Sequence, residues 1–307
     1  MPAPPSLPAA LFLHAASHPE EPWLFQAEGW DWRWQSWSEV ARQVRGRAEG
    51  LAGMTSGSRY SFPYTARPEA VILDLAVQAA GLVAAPMASP PPPSPPVPLS
   101  LTGEGGRFTA GMAEKGGAFR QGPFAGVSPR PSGRGGQGVR GAGGAVIVRG
   151  SEPIELSAAD LISLAEQIQH QIGPTRGRDI VILSGSLELP EERAMLSWAT
   201  LAGAAVVLEP NPALRVATAA WVRPTVFHGT AAELAALRKW VEKERKGFFC
   251  RDPRLPFRRL RMVLVTGPEA LRVEEEAFWS ERGVRVWRFS ESGSPRTRTW
   301  DRAGGGS

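Results

Sequence analysis

Between residues 38 and 51 the apolar positions Val40, Val44, Ala48 and Leu51 recur every three or four residues, while Arg42, Arg45, Arg47 and Glu49 fall mostly on the other side. That period predicts a helix with one buried face. Ser36 and Glu39 stand just ahead of it in the S-x-x-E spacing of a capping box, and aromatic and polar residues alternate from Trp30 to Trp34, which predicts a strand leading into the helix. Next, "SRYSFPY" and "LVAAPM" read as strands on either side of a helix in "RPEAVILDLAVQAAG", opened by Pro68 and closed by Gly81. From Ala145 onward, strands in "AVIVRGS", "RDIVILSG", "AAVVLEP", "PTVFHG", "RMVLVTG" and "VRVWRF" are separated by helical stretches. Those helices lie in "SAADLISLAEQIQHQIG", "PEERAMLSWATLAG", "ALRVATAAWV", "TAAELAALRKWVEKERK" and "PEALRVEEEAFWSERG". Strands alternating with helices over so long a stretch predict an α/β fold with mixed sheets flanked by helices.

The pattern breaks at Ser89. Seven of the nine residues 90–98 are proline and 15 of the 44 residues 101–144 are glycine, so this stretch has too little apolar surface to offset the entropy of ordering it. The expected organisation is a first α/β subdomain at 1–88, a Pro/Gly-rich linker or disordered insert at 89–144, a second α/β subdomain at 145–293 and a disordered tail at 294–307. Such abrupt changes of composition are also what shifted reading frames produce. The run "SPPPPSPPVP" has the chemistry of a polyproline ligand for an aromatic groove, which makes 90–98 a candidate segment for a protein partner.

The 35 lysines and arginines exceed the 30 aspartates and glutamates by little, and they are interspersed with acids, as in "RKWVEKERKG". This is the pattern of a solvated helix face, so nucleic acid is not an expected partner. The single cysteine, Cys250, excludes an internal disulfide and fits a reducing compartment. With no basic leader and no run of about 18 apolar residues, the chain is expected in the cytoplasm, without a transmembrane span. His14, His18, His170 and His228 show no metal-ligand spacing beyond the gap between the first two, which are expected at the surface near the terminus. The eleven tryptophans read as core packing.

The segments "DWRWQSWSEVARQVRGRAEGL", "RPEAVILDLAVQAAGLVAAPM", "ERAMLSWATLAGAAVVLEP", "RRLRMVLVTGPEAL" and "RGVRVWRFSESG" come in an order and spacing that resemble the large N-terminal domain of AMP-forming acyl-CoA synthetases, members of the adenylate-forming ligases. The fourth-from-last helix and strand look most like the long-chain fatty-acyl branch. The resemblance implies that domain's fold, and an ancestral activity that binds MgATP and a carboxylic or fatty acid, forms an acyl-adenylate and passes the acyl group to coenzyme A.

The family's phosphate loop, rich in Ser, Thr and Gly and carrying a lysine, falls on Val148 to Ser157, "VRGSEPIELS". Gly150 and Ser151 are the candidate nucleotide-binding remnants there. The stretch holds no lysine, and Glu152 and Glu155 stand where a polyphosphate would lie. The family's aromatic-Gly-x-Thr-Glu turn falls on "WRFSE". The resemblance assigns Trp287 to the adenine flank, Ser290 to phosphate and Glu291 to Mg, with Ser290 and Glu291 the candidate catalytic pair; Arg288 replaces the glycine. His228 and Gly267, each at the end of a strand, are assigned to the acid pocket. The family's ribose-binding aspartate and its small C-terminal domain with the catalytic lysine would follow Gly293, and "SPRTRTWDRAGGGS" carries none of them. ATP and Mg are therefore implied if activity is retained, and coenzyme A is not expected. The expected function is a degenerate acyl-CoA synthetase relative with weak or no adenylation. Two alternatives stand beside it: an active ligase fragment completed by a separate C-terminal domain, and a non-catalytic interaction protein using the Pro-rich insert.

Overall fold

The computed structural model describes residues 6–28, 31–64, 67–88, 143–149, 152–173, 179–245, 259–267, 271–290 and 299–302. The chain begins with α1 (Leu7–Ser17), β1 (Pro22–Glu28), β2 (Asp31–Ser36), α2 (Trp37–Gly50), β3 (Arg59–Tyr64), α3 (Pro68–Ala79) and β4 (Val83–Ala88). It continues with β5 (Gly144–Arg149), β6 (Glu152–Ser157), α4 (Ala158–Ile172), β7 (Ile180–Leu183), α5 (Pro190–Ala202), β8 (Ala205–Leu208), α6 (Pro212–Val222) and β9 (Val226–Thr230). The last elements are α7 (Ala231–Arg245), β10 (Met262–Thr266), α8 (Val273–Ser280), β11 (Arg285–Ser290) and β12 (Thr299–Arg302).

Local chemistry starts the helices where the sequence predicts. Ser36 Oγ accepts the Glu39 N–H at 3.2 Å while the Glu39 carboxylate accepts the Ser36 N–H at 2.9 Å, and Ser157 and Asp160 make the same box at the start of α4. Gly203 closes α5 in the left-handed conformation, at φ 71°.

The strands form two sheets. The larger has the order β12-β11-β10-β9-β7-β8-β1-β2, with β1 and β7 to β11 parallel and antiparallel edges at β2 and β12; the smaller has the order β3-β4-β5-β6. Both sheets draw strands from before and after residues 89–142. One apolar core holds Val181, Leu183, Val206, Leu208 and Leu264 from one face of the large sheet, the inner faces of α1 to α5, and Phe62, Ala84 and Leu156 from the small sheet. The other face of the large sheet, through Ile182, Val207, Phe227, Val263 and Val265, packs on α6, α7 and α8. The period-2 alternation of each central strand thus feeds two cores.

Some sequence expectations need correction. The tail at 294–307, expected to carry no structure, supplies β12, which pairs with β11 from Ser290↔Thr299 to Trp287↔Arg302; Thr299 and Trp300 are strand formers beside an otherwise open edge. His14 is not a surface residue: it lies half-buried on α1, its ring 4.7 Å from that of Trp37 and its Nε2 3.2 Å from the Leu201 carbonyl. Burial lowers its pKa, against the opposing effect of that carbonyl. Trp23 and Trp37 stack with centroids 4.6 Å apart in the core, as predicted, but Trp34 and Trp221 are exposed. The expected linker lies, but for its last two residues, outside the described residues, as does Cys250. Among the described residues no helix is long and apolar enough to cross a membrane.

Helices α3 and α5, which share the core between the sheets, are joined by a buried charge pair. Arg193 Nη1 of α5 donates to Asp74 Oδ2 of α3 at 2.5 Å, and Gln78 Nε2 donates to the same oxygen at 2.7 Å. Both charged side chains are fully enclosed. Arg193→Ala leaves Asp74 buried without its counter-charge and is expected to cost about 3–5 kcal/mol, read from the urea midpoint, whereas Asp74→Leu combined with Arg193→Met is expected to cost much less.

Candidate functional site

The order in which the large sheet is built directs attention to one crevice. From β7 the chain crosses through α5, over the core shared with the small sheet, to β8; it then returns through α6, over the opposite face, to β9 on the far side of β7. The direction of strand addition therefore reverses between β7 and β9. In open parallel sheets this switch point, at the carboxyl ends of the strands, is where ligands bind.

Here that position is filled by side chains of the protein itself. Glu192, in the first turn of α5, accepts the Ser184 N–H at 3.1 Å, the Ser184 hydroxyl at 2.6 Å and the Gly185 N–H at 3.2 Å, all from the loop after β7. His228 of β9 brings Nδ1 to 3.2 Å from Glu192 Oε1, and Arg215 of α6 brings Nη2 to 3.6 Å from the same oxygen. Arg215 also donates to Glu233 at 2.8 Å and to the His228 carbonyl at 3.3 Å. Glu233 in turn closes a capping box at the start of α7, accepting the Thr230 N–H at 2.8 Å while its own N–H donates to Thr230 Oγ1 at 3.2 Å. Burial alone would raise the Glu192 carboxyl, but His228 and Arg215 beside it, with the Ser184 hydroxyl, hold it at about 2. Glu209, after β8, is likewise engaged, by Thr218 Oγ1 at 3.1 Å and the Asn211 N–H at 3.0 Å. Close packing completes the cluster. A Cβ on Gly229 would stand 2.8 Å from Glu233 Oε2 and 2.8 Å from the Phe227 ring.

The residues singled out in the sequence gather on this edge in part. His228 lies inside the cluster, buried. Gly267 follows the end of β10, exposed, with φ 96° and open space where a Cβ would be. Trp287 stands in β11 opposite Leu264, half-buried against the core shared with the small sheet, and its neighbour Arg288 stands opposite Val265. Ser290 ends β11, while Glu291, Gly150 and Ser151 lie outside the described residues. Among the described residues no group of three or more His, Cys, Asp and Glu is arranged to hold a metal.

The candidate phosphate loop has a definite frame. Val148 and Arg149 belong to β5 and Glu152 to Ser157 form β6, a strand that sequence reading takes as loop; Arg149 pairs with Glu152 and Val146 with Glu155. Two residues therefore connect the strands. Glu155 is not left facing a phosphate position unpaired, because Arg59 of β3 forms an ion pair with it.

Glu192, Arg215, Glu233 and Ser184 escape a reading based on motifs. Thr230 and Glu233 do have capping-box spacing, and Arg215 is the one charge within "PALRVATAAWV", so both signals lie in the sequence.

No family model and no curated protein matches the sequence. Solved structures do match it. A nonribosomal peptide synthetase, FmoA3, in an AMPPNP-bound form aligns over 95% of this chain and 32% of its own, at TM-score 0.67 and 17% identity. IdnL1 aligns over 98% of this chain and 64% of its own, at TM-score 0.67 and 21% identity. The inhibitor-bound N-terminal domain of FACL13 from Mycobacterium tuberculosis aligns over 94% and 76%, at TM-score 0.62 and 10% identity. The chain thus spans about a third of FmoA3, and its fold is that of the N-terminal domain of adenylate-forming enzymes.

Two outcomes follow from the cluster. The Glu192 carboxyl titrates below its ordinary 4.5, so its stabilisation is complete above that pH and is lost as pH falls toward 2. Glu192→Gln is expected to flatten the acid limb of the stability profile between those values, by up to about 3 kcal/mol, in urea titrations at stepped pH. Gly229→Ala forces Glu233 or Phe227 aside, and a loss of about 1–3 kcal/mol is expected in the same measurement at neutral pH.

Proposed function

We propose that this chain is a degenerate adenylate-forming scaffold with weak or no carboxylate adenylation activity. The register of the β5–β6 hairpin carries the reading. Arg149 opposite Glu152 leaves two residues to connect the strands, and a polyphosphate cradle needs several successive backbone N–H groups turned toward the anion, with a cation beside them. No lysine occurs between Val148 and Ser157. The switch-point cluster supports the same reading, since Glu192, Arg215 and Glu233 are already mutually paired in a region where an acid would have to enter.

Within this reading Trp287, Ser290 and Glu291 are the remnant of a nucleotide half-site, with Glu291 the ligand for Mg, and His228 and Gly267 border what was the acid pocket. The acid class is a fatty acid, on the sequence resemblance. The test is acid-dependent exchange of pyrophosphate into ATP with a panel of short-, medium- and long-chain acids. The expected result is no exchange above the acid-free rate; robust exchange with any of them overturns the proposal.

A further inference from the structure

Helix α1 is apolar almost all round, and it lies on the core through Leu7, Ala10 and Leu11. Apolar burial has no direction of its own, so a polar contact is what fixes the rotation and depth of such a helix. Among the described residues, the side chains of α1 make one hydrogen bond to another element. It joins His14 Nε2 to the Leu201 carbonyl, 3.2 Å away near the end of α5. A carbonyl only accepts, so in the neutral ring the proton is on Nε2 and Nδ1 carries a lone pair.

The ring is closely seated. It meets the Trp37 ring at 4.7 Å between centroids, and Trp37 stacks in turn on Trp23. The edge formed by Nδ1 and Cε1 lies against Gly203, which closes α5: a Cβ there would stand 2.9 Å from Cε1 and 3.2 Å from Nδ1. Protonation in acid adds an N–H on that edge, where the glycine presents a C–H and no acceptor.

The neighbouring charges do not offset this. His18, one turn on, repels a positive charge on His14 and lies 3.9 Å from Glu21. Helix α2 meets the ring through Trp37, its Arg45 guanidinium lies over Phe12, and its Glu39 caps Ser36. On α3, Asp74 is held by Arg193 and Glu69 is exposed. On α4, Asp160 closes a capping box, and Glu166 and His170 are exposed. Helix α5 has no charged residue between Ala194 and Gly203. Burial is the largest effect and lowers the His14 pKa, the Leu201 carbonyl opposes it, and His18 adds to it.

We propose that His14 is an acid-sensitive clasp: neutral, it seats α1 against the end of α5; protonated, it leaves that seat and frees α1 from the core. The released ring binds a proton more readily than the seated one, so the clasp is at full strength above pH 6.5 and weakens as pH falls below it. Release uncovers Leu7 and Leu11 and the core surface beneath them. The inference does not rest on the adenylation reading.

The experiment follows amide hydrogen exchange of the full chain by mass spectrometry from about pH 7 to about pH 5, corrected for intrinsic rates, with the His14 ring followed by NMR over the same range. Protection of α1 is expected to fall about fivefold, while α7, on the opposite face of the large sheet, keeps its own. The His14 midpoint is expected below 6.5. Attraction of the imidazolium to the Trp37 ring is the competing effect, and this midpoint decides between them. His14→Gln keeps an N–H for the Leu201 carbonyl and His14→Phe keeps a ring against Trp37; neither titrates, and each is expected to remove the pH dependence of α1 protection. The proposal is overturned if the His14 midpoint lies at or above 6.5, if α1 protection is unchanged by acid or falls in parallel with that of α7, or if either variant keeps the pH dependence of the unaltered chain.

Discussion

Two consecutive residues carry opposite charges into the interior, and the surrounding elements are set by the need to answer them. Glu192 and Arg193 lie in the first turn of α5, where a helix rotates by about 100° per residue, so they face different neighbours. Arg193 reaches α3 through Asp74; Glu192 reaches the loop after β7, the arginine of α6 and the histidine of β9. A buried charge without a partner costs several kcal/mol. The relative positions of α3, α5, α6 and β9 are therefore correlated through one helical turn. The apolar layers supply the bulk of the driving force, and the charges select which arrangement of those layers is tolerated.

Helices with terminal signals and central strands with apolar runs are legible from the chain alone, because their determinants are local. Ser36 with Glu39 and Ser157 with Asp160 mark helix starts that the structure realises atom by atom. What escapes reading depends on partners distant in sequence. Helix α1 has a nearly uniform apolar composition in which no face stands out, and its burial of Leu7 and Leu11 becomes apparent only with the core around it. Strand β1 is interrupted by polar residues and is held by β2 and β8. The ion cluster is further removed still, since Glu192, Arg215 and His228 come from three separate elements and each looks like an ordinary polar residue in its own segment.

The hairpin of β5 and β6 shows how a strand can read as a loop in the sequence. Glu152, Pro153 and Glu155 make the segment look like a loop, yet Ile154 and Leu156 alternate toward the core. A six-residue strand is enough once a neighbouring strand supplies hydrogen bonds. Glu155, between Ile154 and Leu156, is exposed and forms an ion pair with Arg59.

The parallel pairing of β4 with β5, with Val83 opposite Gly144 and Ala84 opposite Ala145, has an evolutionary consequence. The entropy of closing a long connection grows with the logarithm of its length, so doubling it costs only about 0.6 kcal/mol. Selection for a stable fold therefore exerts little pressure on the number or kind of residues between these two strands. As far as fold stability is concerned, the length of this connection is only weakly constrained.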